Sequence, residues 1–333
     1  MAIEGVERRS VAHIFNAAVA ASAISAAWEL GALDELKSRG ALDVPAFAGE
    51  HGLDVTATTG LFRALAAVDI VERVDDKVTP ARNFDEAYRT RSFFHWLSRG
   101  CGDLFRRMPE LLPERNRTGD FYQRDSAAIA LACREISSFC YDPWFDEALA
   151  GLDFAPGVVA DLGCGSGERL LQVLRRHPGA RGVGIDIAAP TLEVAAAAAD
   201  GAGLADRVSF VRADVREMPA RDDFAEVELL TCFMMGHDFW PRPRCVQTLQ
   251  RLRTLFPGTR RFLLGDATRT VGVADRDLPV FTLGFEVAHD LMGTFIPQAA
   301  DWESVFAEGG WRLRRKHAID IAVGEVIYEL EQL

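Results

Sequence analysis

Paired cysteines, positive charge and long apolar runs are all scarce in this sequence of 333 residues. The six cysteines stand singly and never form a C-x-x-C pair. We therefore expect neither a zinc knuckle nor a disulfide framework, and reduced thiols in a cytoplasmic protein fit best. Lysine and arginine number 37 against 49 aspartates and glutamates, which gives a net charge of −12. This acidic balance argues against a nucleic acid partner.

A membrane partner is not expected either. No segment is predicted to supply the roughly 18 to 20 apolar residues that a membrane span requires. The N-terminal stretch ERRSVAHIFNAAVAASAISA has two arginines before a run of small residues, which loosely resembles a signal peptide. It continues into AWELGALDELK, whose apolar residues recur at helical spacing. We therefore predict a helix that packs within the protein or between subunits.

The length of the chain predicts more than one domain. We assign residues 1–100 to a mainly helical domain of winged-helix type. Its marks are a short helix ending at Gly52, a second helix capped by threonines in DVTATTGLFRALAAVDI, and a hairpin turning at Asp75–Asp76. The second helix carries one arginine and no basic stripe, so dimerisation is favoured over DNA binding. Residues 101–154 are assigned to connecting helices that contribute to a substrate pocket.

Residues 155–333 show a different pattern, in which apolar strands alternate with helices. The strands are expected in GVVADL, ARGVGIDI, RVSFVRADV, FAEVELLTCFMM and RRFLLGDA, with YELEQL as a closing edge strand. Such alternation is typical of an α/β domain with a parallel sheet covered by helices.

Candidate nucleotide-binding residues stand at successive strand ends of this domain. The turn DLGCGSG follows the first strand and opens a helix, and its glycines let a ligand approach the backbone closely. An acid before the glycines suits a cationic ligand better than a pyrophosphate. An acid ending the second strand can bind ribose hydroxyls, and one after the third can accept from an adenine amino group. The predicted cofactor-binding residues are Asp161, Gly163, Gly165, Gly167, Asp186, Asp214 and Val215.

This ordered set resembles the class I S-adenosylmethionine-dependent methyltransferases over roughly residues 155–333. The resemblance implies a Rossmann-like, seven-stranded methyltransferase domain that binds S-adenosylmethionine. The preceding region resembles the dimerisation domain of small-molecule O-methyltransferases, which implies a homodimer. In that family the place of His237, in the stretch MMGHDFW after the fourth strand, holds the base that deprotonates a phenol.

Two further features separate the sequence from ordinary O-methyltransferases. A second histidine, His289, occurs in FEVAHDLMGTF, and the Gly-x-x-Arg-like stretch usual before the next helix is replaced by MGTFIPQAADW. The paired motifs GHDF and AHDL resemble the 2-oxoacid C-methyltransferases of nonribosomal-peptide pathways. That resemblance implies a metal, iron or zinc, held by His237 and His289, with Asp238 as an orienting group. It also implies methylation at C3 of an apolar or aromatic 2-oxoacid through a metal-stabilised enolate.

Two other hypotheses stay open at this point. One is a metal-independent O-methyltransferase in which His237 is a plain general base. The other is a non-catalytic S-adenosylmethionine-binding regulator that places its winged helix on DNA, against which the acidic charge argues. The leading expectation is a cytoplasmic, homodimeric enzyme with a small-molecule substrate.

Overall fold

The computed structural model of the protein describes residues 11–319 and 324–333. Contacts divide the chain into two compact units, 1–136 and 137–333. The division falls inside the segment 101–154 that the sequence assigns to connecting helices. Whether that segment contributes to the substrate pocket stays a prediction.

The first unit is mainly helical and contains a small antiparallel sheet. Its helices are α1 (Val11–Glu29), α2 (Ala32–Arg39), α3 (Val44–Glu50), α4 (Val55–Ala66), α5 (Phe84–Arg89), α6 (Arg91–His95), α7 (Gly102–Arg106) and α8 (Met108–Leu111), and α9 (Ser126–Cys140) spans the division. Its strands are β1 (Leu42–Asp43), β2 (Val71–Val74) and β3 (Lys77–Pro80), in the order β1-β3-β2.

The expected hairpin of the first unit is present, because β2 pairs with β3 across Asp75 and Asp76. The expected threonine cap is wrong. Asp54 caps α4, since its carboxylate accepts from the backbone N–H of Ala57 at 2.7 Å. The hydroxyl of Thr58 instead donates backward to the carbonyl of Asp54.

Helix α1 differs from expectation in one respect. It is 19 residues long with a mean hydropathy of 1.4, so by length and composition it could cross a membrane. Buried core helices and signal sequences pass the same test. An apolar strip on α1 is exposed, with Val11, Ile14, Phe15 and Val19 each at least half accessible.

The second unit is an α/β domain. Its helices are α10 (Asp142–Ala150), α11 (Glu168–Arg176), α12 (Ala189–Gly201), α13 (Arg242–Leu255), α14 (Thr282–Met292) and α15 (Ala299–Phe306). Its strands are β4 (Val158–Leu162), β5 (Arg181–Asp186), β6 (Val208–Arg212), β7 (Leu229–Phe233), β8 (Arg261–Asp266), β9 (Trp311–Ala318) and β10 (Val326–Gln332). A large buried core lies here, formed by apolar strand residues, by Leu249 and Leu252 of α13, and by Trp302 and Phe306 of α15.

The seven strands form one sheet in the order β6-β5-β4-β7-β8-β10-β9. This confirms the predicted seven-stranded fold, with one correction. The C-terminal strand β10 is not an edge strand, because it lies between β8 and β9 and pairs with both. The sequence WRLRRKHA of β9 conceals the true edge, since its charged residues break the alternation of a half-buried strand.

The strand order places a switch point between β4 and β7. From β4 the chain proceeds outward through β5 and β6, and then returns to the other side of β4 for β7 and β8. In open α/β sheets, ligands bind beyond the carboxyl ends of the strands at such a point. The glycine turn follows β4 and the His237 segment follows β7, so both lie at this position.

Candidate active site

The glycine turn after β4 has the backbone that its sequence predicted. Gly163, Gly165 and Gly167 all have positive φ, at 69°, 50° and 78°, a region that residues with a Cβ rarely enter. A Cβ on Gly163 would lie 3.0 Å from the Cγ of Met235. The turn therefore packs directly against the segment that carries His237.

Asp161 is the penultimate residue of β4, just before this turn, and is 3% exposed. The hydroxyl of Thr231 donates to its Oδ1 at 2.7 Å. Burial raises the pKa of Asp161 to about 7, although the Thr231 hydrogen bond and the Arg169 charge act in the opposite direction. A positive ligand above the turn would favour the ionised carboxylate, which fits a sulfonium cofactor.

Asp186 closes the turn from the side. Its Oδ2 accepts the backbone N–H of Gly165 at 2.9 Å, and its Oδ1 accepts that of Ala188 at 2.8 Å. The carboxylate is thus held at the end of β5, where a ribose hydroxyl could reach it.

Asp214, the predicted adenine acceptor, already has protein donors. The Nε and Nη2 of Arg216 donate to its two oxygens at 2.9 and 2.7 Å, and the Arg216 backbone N–H also donates. These hydrogen bonds lower the pKa of Asp214. Binding of an adenine amino group would require Asp214 to share its oxygens or Arg216 to move. Val215, beside it, is buried.

His237 is held by an acid that the sequence did not reveal. His237 lies in the 3₁₀ turn Gly236–Phe239 and is 8% exposed. Its backbone N–H donates to Oδ2 of Asp266 at 2.6 Å, and its Nδ1 lies 2.8 Å from Oδ1. Asp266 ends β8 and is fully buried. The carboxylate therefore fixes both the backbone and the ring of His237.

His289 lies beside His237, as the paired motifs implied. It is carried by α14, is 4% exposed, and its ring centroid is 5.4 Å from that of His237 at an interplanar angle of 89°. Its Nδ1 donates to the carbonyl of Phe285 at 2.7 Å. A carbonyl only accepts, so this contact fixes the tautomer with a proton on Nδ1.

These contacts are the ones that metal-binding histidines make. Such histidines donate one ring N–H to a carboxylate or a backbone carbonyl and bind the metal through the other nitrogen. His237 uses a carboxylate and His289 a carbonyl. The pair therefore fits an ion that prefers imidazole, such as iron or zinc. Their assignment as metal ligands stays a prediction.

Asp238 has a different position from its neighbour. Its side chain is exposed, whereas Gly236, His237 and Phe239 of the same turn are buried. The orienting role that the sequence suggested for Asp238 is filled at His237 by Asp266. Sequence reasoning missed Asp266 because it stands 29 residues later; its signal was an acid ending an otherwise apolar strand.

Aromatic rings surround the two histidines. Phe285 packs against His289 with centroids 4.0 Å apart and the rings tilted by 38°, and it meets His237 edge-on at 6.5 Å. Phe281 lies 5.5 Å from Phe285. Around a site of this kind, apolar walls favour an apolar substrate portion.

Comparisons with known proteins identify the family of the chain. A family model described as a methyltransferase domain matches residues 159–257. The methyltransferase ungE′ of Aspergillus campestris is 51% identical over 329 residues, covering 96% of each chain. The chain belongs to the class I S-adenosylmethionine-dependent methyltransferases. It is an enzyme that methylates small molecules, and the regulator hypothesis finds no support.

Two further relatives of this methyltransferase cover about half of the chain. The indolepyruvate C-methyltransferase of Streptomyces griseus is 31% identical over 54% of each chain. The 2-ketoarginine methyltransferase of Streptomyces arginensis is 28% identical over 47% of this chain and 46% of its own.

Solved structures support the fold over the whole length. The mitomycin 7-O-methyltransferase MmcR has a TM-score of 0.72 at 20% identity and covers 97% of each chain. The O-methyltransferase NcsB1 of neocarzinostatin biosynthesis, solved with S-adenosylmethionine, has a TM-score of 0.65 at 20% identity over 94% of this chain and 96% of its own. At such identities the likeness shows the fold alone.

Proposed function

We propose that this methyltransferase transfers the methyl group of S-adenosylmethionine to C3 of an apolar or aromatic 2-oxoacid, with iron or zinc held by His237 and His289. The observation that carries the proposal is the second buried histidine, 5.4 Å from the first between ring centroids. A phenol needs only one base. The C3 proton of a 2-oxoacid is much less acidic than that of a phenol, so its removal would benefit from a metal that stabilises the enolate. A second histidine would help to hold that metal.

The chain's own residues would prepare the acceptor. Asp266 holds His237, and the Phe285 carbonyl holds His289, so neither ring needs to reorient when substrate enters. A bound metal would supply Lewis acidity that stabilises the enolate. Phe281 and Phe285 would hold the apolar part of the substrate. The exposed Asp238 would act on the substrate rather than on His237.

The cofactor would lie on the glycine turn, with its sulfonium above Asp161. Asp186 would take the ribose hydroxyls, and Asp214 and Val215 the adenine. Met235 packs against Gly163 and lies two residues before His237. The methyl donor and the acceptor would therefore lie next to each other, and transfer requires alignment of carbon, methyl and sulfur.

The relatives named above support the substrate class. Indolepyruvate and 2-ketoarginine are both 2-oxoacids. We also propose a homodimer in the cytoplasm, in which the exposed apolar strip of α1 meets a second copy. Light scattering of the wild-type protein and of Phe15→Glu would test the dimer, which should dissociate in the variant.

The metal is tested by elemental analysis of dialysed, untagged protein beside His289→Ala. We expect about one iron or zinc per chain in the wild type and a loss of most of it in the variant, because one of two imidazole ligands is removed. S-adenosylmethionine affinity should be unchanged in both. Full metal content in His289→Ala would contradict the two-histidine site.

The second candidate is a metal-independent O-methyltransferase. The Asp266–His237 pair favours it, because a carboxylate on Nδ1 orients the other nitrogen for proton transfer. This alternative predicts no metal and methylation of a phenol that a chelator does not inhibit. It gives His289 no role.

A further inference from the structure

The end of β8 and the residues after it contact both elements that carry a histidine. Asp266, the last residue of β8, holds His237. Three residues later, Arg269 reaches helix α14, which carries His289. Its Nη2 lies 2.5 Å from Oδ1 of Asp290, and its Nη1 lies 3.3 Å from Oδ2 of Asp290 and 3.5 Å from Oε2 of Glu286.

Backbone hydrogen bonds reinforce this contact. The N–H of Thr270 donates to Oε1 of Glu286 at 2.7 Å. The N–H of Arg269 donates to the carbonyl of Pro297 at 2.9 Å, beyond the end of α14. The segment is thus tied to the helix and to the chain that follows it.

The two acids on α14 enclose the turn that presents His289. Glu286 and Asp290 are one helical turn apart, and His289 lies between them, next to Asp290. Because the Arg269 guanidinium contacts both acids, it limits rotation of α14 about its axis and sliding of α14 along its axis. Since Asp266 fixes His237 from the same segment, a single strand end sets the spacing of the two imidazoles.

We propose that Arg269 is a positioning residue that holds His289 at metal-binding distance from His237. This role rests on the proposed metal function, whereas the contacts of Arg269 with α14 do not depend on a metal. Glu286 is largely buried, with 12% of its side chain accessible, and Arg269 is 29% accessible. The contact with Glu286 is therefore better shielded than an ordinary surface ion pair, whereas the shorter contact is made with Asp290, whose side chain is 57% accessible. The planar fork of arginine suits two acids at once, whereas lysine would offer a point charge.

The test compares Arg269→Met and Arg269→Lys with Arg276→Met. Arg276 is a matched control, since it lies in the same connection, is exposed and pairs only with its neighbour Asp277 among the described residues. In the first readout, cobalt(II) is added to the metal-free protein, and its binding is measured by visible absorption. We expect Arg269→Met to weaken cobalt binding about 10-fold, the lower end of the range for losing an outer partner of a metal ligand, because Arg269 acts on His289 through α14. Arg269→Lys should lose less, and Arg276→Met nothing.

Amide hydrogen exchange of the metal-free proteins is the second readout. Residues 282–292 should exchange about 10-fold faster in Arg269→Met, while residues 158–176 should be unchanged. Asp290→Asn removes the shortest contact from the helix side and should reproduce the effect. The double variant should add little, because both changes break one interaction.

The outcomes separate the two proposals. If the wild type binds cobalt and Arg269→Met binds it equally well, the positioning role is wrong. If the wild type binds no cobalt, the metal function fails and hydrogen exchange alone decides the grip on α14. Unchanged exchange of residues 282–292 in Arg269→Met would then overturn it.

Discussion

Two regions at the carboxyl ends of the parallel strands are built by different means, and they form the two halves of the candidate site. On the cofactor side, three glycines with positive φ and the strand-end acids Asp161 and Asp186 form a site largely from the backbone. On the proposed acceptor side, His237 and His289 come from different elements and are held by Asp266 and a backbone carbonyl. The first half depends on conformation, whereas the second depends on side chains meeting in space.

This difference explains what was predictable. The glycine turn is one contiguous stretch, and its three glycines predict the positive φ angles that it adopts. The His237–Asp266 contact joins residues 29 positions apart, one in the turn after β7 and the other at the end of β8. Local spacing does not reveal such pairs, because only the sheet order places β7 beside β8. If the halves are separable, changes in one should leave ligand binding at the other intact.

The largest effect is expected from His237→Ala. Methyl transfer should fall about 1000-fold, within the range for loss of a positioned catalytic group. S-adenosylmethionine affinity, measured by calorimetry, should stay the same because His237 lies on the acceptor side. A parallel loss of cofactor binding would show that the halves are coupled.

The acid behind His237 should matter next. Asp266→Asn retains the shape but removes the charge that orients the ring, so metal affinity should fall about 30-fold. Asp238→Asn is the matched comparison on the neighbouring exposed acid. Equal losses of metal in the two variants would contradict the assignment of Asp266 as the orienting acid.

The cofactor half can be disturbed by Gly163→Ala. The new Cβ meets Met235 at 3.0 Å on a backbone with φ of 69°, so S-adenosylmethionine affinity should fall about 10-fold through strain. Metal content should remain at the wild-type level. Gly201→Ala is the control, since Gly201 has open space around it; similar losses in both would remove the argument from backbone strain.

Glu325 offers a pH test of the acceptor half. It is 1% exposed, and burial raises its pKa to about 8. The hydrogen bond with Cys140 acts in the opposite direction, and the Asp266 charge adds a smaller increase. Below the unfolded pKa of 4.5 the Glu325 carboxyl is protonated in both states, and the folded protein has its full stability. As the pH rises from 4.5 to 8, the unfolded state loses this proton while the folded state keeps it, so the folded protein loses stability. The stability of Glu325→Gln relative to wild type should therefore grow by up to about 1.4 kcal/mol per pH unit across this window. Urea unfolding at several pH values measures this, and a constant difference would refute the burial argument.

The smallest effect is expected from Asp238→Asn on metal binding. Its side chain is exposed, and surface changes away from special contacts usually shift free energies by less than about 0.5 kcal/mol. Metal content should therefore match the wild type, even if the KM for the substrate rises. Elemental analysis beside steady-state kinetics separates the two effects.

The architecture was easier to predict from the sequence than the side-chain contacts were. Local periods and turns predicted six strands of the second domain, the helical first unit and the hairpin, and the family resemblance implied the seventh strand. Sequence reasoning misplaced β10 at the edge and overlooked β9, whose basic residues hide its strand pattern. It also missed Asp54 as a helix cap, where a threonine-rich stretch drew attention from the acid before it. Arg269 went unnoticed because its partners are 17 and 21 residues away.

The most direct test is the position of the transferred methyl group. The enzyme would be incubated with S-adenosylmethionine carrying a ¹³C methyl group and, in separate samples, phenylpyruvate, a branched-chain 2-oxoacid and a phenol. Carbon NMR of the products distinguishes a methyl bonded to carbon from one bonded to oxygen. The account predicts a C3-methylated 2-oxoacid, formed only with metal present and lost in His289→Ala. Methylation of the phenol oxygen alone, unaffected by a chelator, would contradict it.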